Sequence, residues 1–260
     1  MPLHFLRRLT GRARTRRANR QLGAVLAFVA GAVNAGGFLA VARYTSHMTG
    51  MVAMMAGDLA DGRGLLLLTG FCGLLAFIGG AATTAVLINW ARHRRMHSEY
   101  ALSLGLEALL LLAFGLLGAN LQIHLPLTLP ATLLLLCYIM GLQNAIVTKI
   151  SKAEIRTTHV TGLVTDLGIE LGKLFYWNRH HGRESRQYVD ANRDKLVLHG
   201  LILTMFFAGG VGGVLGFRHL GFAATVPLAL LLLALALIPI VDDVWLLYAR
   251  TRRAGRSGLS

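Results

Sequence analysis

The chain reads Gly31-Ala32-Val33-Asn34-Ala35 and then Thr45-Ser46-His47-Met48-Thr49-Gly50. Further on it reads Gly141-Leu142-Gln143-Asn144-Ala145 and then Thr157-Thr158-His159-Val160-Thr161-Gly162. Both strings have the form Gly-x-x-Asn-Ala, a short connector, then Thr-(Ser/Thr)-His-x-Thr-Gly. Asn34 and His47 are 13 residues apart and Asn144 and His159 are 15 apart, so the second copy carries two extra residues. A rare polar string that recurs in an apolar chain marks an internal duplication.

The surroundings of the strings place them in a membrane. Of 260 residues, 55% are hydrophobic and only 15% charged, too few to cover a soluble domain of this size. Several apolar runs reach the roughly 20 residues that cross a bilayer as a helix. The formal charge of +14 would suit a nucleic-acid partner, since clustered arginine neutralises phosphate. The gathering of Lys and Arg beside spanning helices accounts for the same charges, and no nucleic acid is expected. Cys72 and Cys137 both sit inside apolar runs, which points to neither a disulfide framework nor a thiolate metal cluster.

Residues 1–20 hold seven arginines and no acid. They read as a retained cytoplasmic tail, because the apolar run that follows is too long for a signal peptide and Arg43-Tyr44 is a poor cleavage site; a transit peptide is the lesser alternative. Spanning helices are expected over about 21–42, 65–90, 99–120, 131–149, 196–217 and 222–248, and shorter segments over about 47–60 and 157–173. At 1.5 Å per residue a segment of about 14 residues reaches about 21 Å, short of a hydrocarbon core about 30 Å thick. Phe77-Ile78-Gly79-Gly80 recurs as Phe207-Ala208-Gly209-Gly210, extending the duplication. The divisions are a basic tail (1–20), a first membrane repeat (21–121), a second (129–249) with a cytoplasmic loop over 173–195, and a basic tail (250–260). Glycines four apart, such as Gly209 and Gly213, allow close helix contact in lipid.

Charge selects the topology. If all eight segments cross, the inner face collects 18 Lys and Arg and the outer face 8. If both His segments enter and leave by one face, the inner face holds 23 and only Arg43, Arg63 and Arg218 remain outside. The positive-inside bias favours the second arrangement, with both termini cytoplasmic. Each half then has three full crossings and the halves are inverted. The expected fold is an all-α membrane protein with six full transmembrane helices, two short re-entrant or broken helices, and an inverted internal repeat. Whether the short segments are re-entrant or lie on the surface stays open. Re-entrance is favoured because polar backbone at depth needs a cavity to line.

The substrate-pathway candidates are Asn34, Thr45, Ser46, His47, Thr49, Asn144, Thr157, Thr158, His159 and Thr161. Two histidines at equivalent places in opposed repeats suit a shared site, where neutral imidazole donates to a solute or relays a proton. The hydroxyls double as helix caps, with Ser46 and Thr158 placed for that role. The two asparagines could hold a solute or tie broken backbone. Glu107, alone in an apolar helix, is the candidate for proton coupling, weighed against a carboxyl that snorkels to the interface. Asp58, Asp166 and Glu170 are expected at a solvated mouth, and Arg43 and Arg156 read as loop charge that could draw anions in. Met48, Met51, Met54 and Met55 resemble a soft-metal face, but Val160 and Leu163 replace the first two in the second copy, and packing is the preferred reading. Neither metal nor cofactor is expected: no third ligand sits at helical spacing beside both histidines.

On these strings the chain resembles the YoaK-type family of bacterial inner-membrane proteins, over most of 20–250. Members often carry Asn after the first Thr-Gly, where this chain has Met51. The resemblance implies a multi-pass protein of the bacterial inner (cytoplasmic) membrane, of unknown function and presumed by many to be a permease. It names no substrate. The favoured function is a transporter or channel for a small polar or anionic solute, with the lipid bilayer and that solute as partners and a homo-oligomer left open. A non-transporting scaffold or lipid-interacting protein is the alternative. An enzyme is not expected: an intramembrane one would use His with Glu107, and no nucleophile–His–carboxylate string is present.

Overall fold

A computed structural model of the chain describes residues 16–94, 96, 99–120, 125–150, 158–176, 189–237 and 241. Every regular element among them is helical: α1 (Arg16–Val41), α2 (Met48–Ala60), α3 (Gly64–His93), α4 (Ala101–Ala119), α5 (Leu125–Ile150), α6 (Val160–Phe175) and α7 (Arg193–Leu220). A 3-10 turn (Gly221–Ala224) then leads into α8 over 225–237. Among the described residues, five helical stretches are long and apolar enough to cross a bilayer. The last runs for 45 residues, about 68 Å as one rod and twice the hydrocarbon thickness. It is broken at Gly221, whose φ of +57° lies in the left-handed region that glycine adopts without steric cost.

α1 and α5 form the centre. In each, 61% of the apolar window is enclosed by protein, against 17% in α3. The outward faces of α3 and α7 instead expose Leu65, Leu68, Phe71, Ile78, Val86, Phe207, Val211 and Leu215. That much exposed apolar surface matches hydrocarbon, not water.

Packing is set by glycine. A Cβ on Gly31 would strike the Phe206 carbonyl oxygen, and one on Gly209 would strike that of Phe28, so α1 and α7 touch backbone to backbone. α3 and α5 repeat this: a Cβ on Gly141 would strike the Phe77 carbonyl oxygen, and one on Gly80 that of Tyr138. Small residues permit such approach, and close approach is what drives association where lipid is as apolar as the side chains. The first helix of each half therefore pairs with the third helix of the other half.

The contacts also give direction. Along α1 and α7, Phe28 meets Gly209, Ala32 meets Gly213 and Gly36 meets Phe217, so the two run parallel. Gly73 beside Cys137 and the 3.0 Å bond from Thr84 Oγ1 to the Leu142 carbonyl make α3 and α5 parallel. Between α1 and α5 the order reverses. Gln143 Nε2 donates to the Leu26 carbonyl at 3.2 Å, whereas Gly37 faces Leu136. The equivalent central helices run antiparallel.

α4 buries one face (Leu104, Glu107, Ala108, Leu111 and Phe114) at helical spacing. Phe114 closes it on Phe217 and Phe222, with ring centroids 5.8 to 6.0 Å apart.

Three expectations need correction. The glycine strings are equivalent one residue away from their sequence alignment: Phe77 corresponds to Phe206 and Gly80 to Gly209, because those are the positions whose backbone meets matched atoms of α5 and α1. α5 starts at Leu125 rather than 131, with Pro130 inside it. Pro130 is the sixth residue of that helix, past the first four N–H groups that lack an intrahelical acceptor, so it removes one backbone bond near the helix start. α1 starts at Arg16, inside the stretch read as a tail. The remainder of that tail, most of the 173–195 loop and the C-terminal tail lie outside the described residues.

Candidate functional site

Each short helix begins at the residue after its histidine. His47 is the N-cap of α2 (φ −91°, ψ 71°) and His159 the N-cap of α6 (φ −87°, ψ 58°), and neither side chain caps its helix by a hydrogen bond. The expectation that Ser46 and Thr158 would cap is corrected. They lie one position earlier, and their hydroxyls donate to the side-chain oxygens of Asn34, at 2.8 Å, and Asn144. The asparagines thus tie each connector to the end of the preceding long helix, which is the structural one of their two expected roles.

The His-x-Thr-Gly spacing has a steric cause. A Cβ on Gly50 would collide with the His47 ring, and one on Gly162 with the His159 ring. Each imidazole folds over the first turn of its own helix, into room left by the glycine three residues on. First-turn N–H groups have no partner inside a helix and carry the positive end of its dipole.

Both histidines line one cavity of about 350 Å³, together with Ser46, Met48, Thr49, Phe77, Asn144, Thr148, Thr158 and Thr161. Two imidazoles, five hydroxyls and a carboxamide line it, with no fixed charge. Such a lining offers donors and acceptors to a polar solute, and the adjoining helix N-termini favour negative charge. Asn34 lies across α1 on a separate apolar groove of about 530 Å³ with Tyr44, Val160 and Phe206. Thr45 is buried behind the connector, and its hydroxyl has no partner among the described residues. Thr157 and Arg156 lie outside the described residues. Thr148 was missed by sequence reasoning. It stands one turn after Asn144 on the same face of α5 and back-bonds to the Asn144 carbonyl at 2.7 Å, and the i, i+4 spacing was the available signal.

Glu107 is not part of this lining. It is fully enclosed, with neither carboxyl oxygen partnered among the described residues, and Ser103 one turn earlier is buried and unpartnered as well. A carboxyl snorkelling to the interface is therefore not what the fold contains.

Asp58 and Glu170 depart from the expected solvated mouth: both are about 5% exposed. They are equivalents, each late in a short helix, and each ties that helix to the start of the next long one. Asp58 pairs with Arg63 at 3.1 Å, beside the start of α3. Glu170 accepts from Lys173 Nζ at 2.8 Å and from the backbone N–H of Asn192, the α7 N-cap, at 2.7 Å. The Lys173 bond, then the Asn192 bond, hold the Glu170 carboxyl below the usual carboxylate range. A lowered folded-state value means that the latch is fully present above the ordinary pKa of about 4.3 and is lost as pH falls through the lowered value. Amide exchange at the start of α7 should accelerate in Glu170→Gln at neutral pH, and the wild type should converge on the variant in acid. Equal exchange at neutral pH would remove the latch.

Comparison with known proteins adds the family. A family described as "Protein of unknown function (DUF1275)" matches residues 22–238. The UPF0700 transmembrane protein YoaK of Bacillus subtilis (strain 168) is 25% identical over 157 residues, spanning 58% of this chain and 67% of that protein. No solved structure matches the chain.

Proposed function

The chain belongs to the DUF1275 family of proteins of unknown function, and we propose that it is a multi-pass membrane transporter or channel for a small polar or anionic solute. The pathway runs through the cavity between the two histidines. The observation that carries this reading is the lining itself: copies of one polar string, far apart in sequence, meet around a single hollow with uncapped helix starts beside it.

We infer six full crossings and an inverted repeat. The five apolar stretches become six where Gly221 breaks the last. The antiparallel course of α1 and α5 supports the inversion. So does the charge count, which puts 23 of 26 Lys and Arg inside when both termini are cytoplasmic, as in a bacterial inner membrane. α2 and α6, with 13 and 16 residues, reach about 20 and 24 Å and are too short to span, which suits re-entrant helices that dip from opposite faces. Glu107 is the group assigned to proton coupling, as the enclosed carboxyl of a spanning helix.

Purified protein in liposomes tests the reading. Vesicles holding the wild type should pass at least one of a panel of small anions and neutral polyols saturably. Permeability equal to empty vesicles across the panel would reject transport and leave the scaffold reading.

A further inference from the structure

A second cavity, of about 160 Å³, lies on the other side of His47. One face of α2 supplies His47, Met51, Met54, Met55 and Asp58 to its lining, at the spacing that stacks side chains along a helix. α3 makes room for the thioethers by lacking side chains opposite them. A Cβ on Gly70 would stand 2.6 Å from Met55 Cγ and 3.2 Å from its sulfur. A Cβ on Gly73 would stand 3.2 Å from the Met51 sulfur and 3.5 Å from Cys137 Sγ.

Packing against Gly73 and Gly70 accounts for where Met51 and Met55 lie, but not for Met54. Met54 is 50% exposed and yet lines the cavity. The equivalent positions in α6 are Leu163, Asp166 and Leu167, so the matching helix is built without a single thioether. The second copy's lack of methionine argues against a metal at the site shared by the two repeats, but this cavity belongs to the first repeat alone.

The lining also says which ligand it would take. Arg43 and Asp58 both face the cavity, and Asp58 is already paired with Arg63, so fixed charge does not draw in a hard divalent ion. Among the described residues no three His, Cys, Asp or Glu side chains converge as a conventional metal site. What the cavity offers is three neutral, polarisable sulfurs and an imidazole. Thioethers select soft monovalent ions over Mg²⁺, Ca²⁺ or Zn²⁺, and they need no deprotonation to do so. We propose that this cavity binds Cu(I) or Ag(I) through the thioethers of Met51, Met54 and Met55 and the imidazole of His47. The site shares His47 with the neighbouring cavity, but the inference does not rest on solute transport, and its test reads metal binding and not flux.

The full chain in detergent is titrated with Cu(I) held by a chromophoric chelator, and with Zn(II) in parallel. The wild type should take one equivalent of Cu(I) from the chelator and retain no Zn(II). Met51→Leu/Met54→Leu/Met55→Leu keeps core volume nearly constant. It should weaken Cu(I) binding by at least the roughly 10–100-fold that disturbing a metal's outer shell costs. Met54→Leu alone, at a half-exposed position with little packing to lose, should weaken it measurably with the apo-protein melting point unchanged. Cys72→Ser/Cys137→Ser should still bind. The proposal is overturned if the wild type takes no Cu(I) from the chelator, if the leucine variants bind as it does, if Zn(II) binds equally well, or if the serine variant loses the metal.

Discussion

Gly141→Val and Gly31→Val should each cost at least about 3 kcal/mol and prevent recovery of a monodisperse, folded protein. In both places the added side chain would meet a backbone carbonyl of the partner helix, Phe77 for Gly141 and Phe206 for Gly31. A flexible side chain can swing away from an intruding methyl group, whereas a carbonyl in a hydrogen-bonded helix moves only with its helix. Separating α3 from α5, or α1 from α7, removes the contact that joins the first helix of one half to the third helix of the other. Gly105→Ala is the control. It too is a helical glycine, but a Cβ there would meet nothing within 4 Å. Alanine should stabilise α4 by up to about 1 kcal/mol through helix propensity. Unfolding in detergent, followed by thermal melting, checks all three. Near-wild-type melting of the valine variants would show that the pairs are not packed backbone to backbone.

The second large effect falls on the histidines. His47→Ala and His159→Ala should each lower solute flux by about tenfold or more, the equivalent of about 1.4 kcal/mol at the rate-determining barrier. Gly50→Ala and Gly162→Ala should lower it as well, although both leave the imidazole chemically intact. The new methyl group would occupy the space over which each ring folds and turn it away from its present position at the cavity wall. A loss confined to the histidine variants would show that the ring matters and its position does not. Unchanged flux in all four would remove the cavity from the pathway. Melting points separate these outcomes from misfolding, since positions 47 and 159 are exposed.

The short segments and the approach of the two histidines were legible in the residues, because each rests on a local pattern that survives without neighbours. A repeated polar string, a run length in residues and a glycine in the third helical position can be read one at a time. What could not be read depended on a partner. Gly79-Gly80 and Gly209-Gly210 align by letter, but only the carbonyls of Tyr138 and Phe28 reveal that Gly80 and Gly209 are the equivalents. Ser46 and Thr158 have the side chains of caps, and nothing local says that Asn34 and Asn144 would claim their hydroxyl protons first. Asp58 and Glu170 look like charges for a watery mouth until Arg63, Lys173 and the Asn192 backbone are in place around them. The exchange of partners between halves is of the same kind, since an apolar helix with small residues does not specify which other helix it will meet.

The inverted arrangement of the two halves is tested most directly by the accessibility of one position on either side of α3. Arg63→Cys and Arg94→Cys are placed separately in a Cys72→Ser/Cys137→Ser background and treated in spheroplasts with a membrane-impermeant maleimide. The inverted arrangement predicts labelling of position 63 at once and of position 94 only after the membrane is opened. Labelling of position 94 in sealed spheroplasts, with position 63 protected, would mean that α2 crosses the bilayer and would contradict the account.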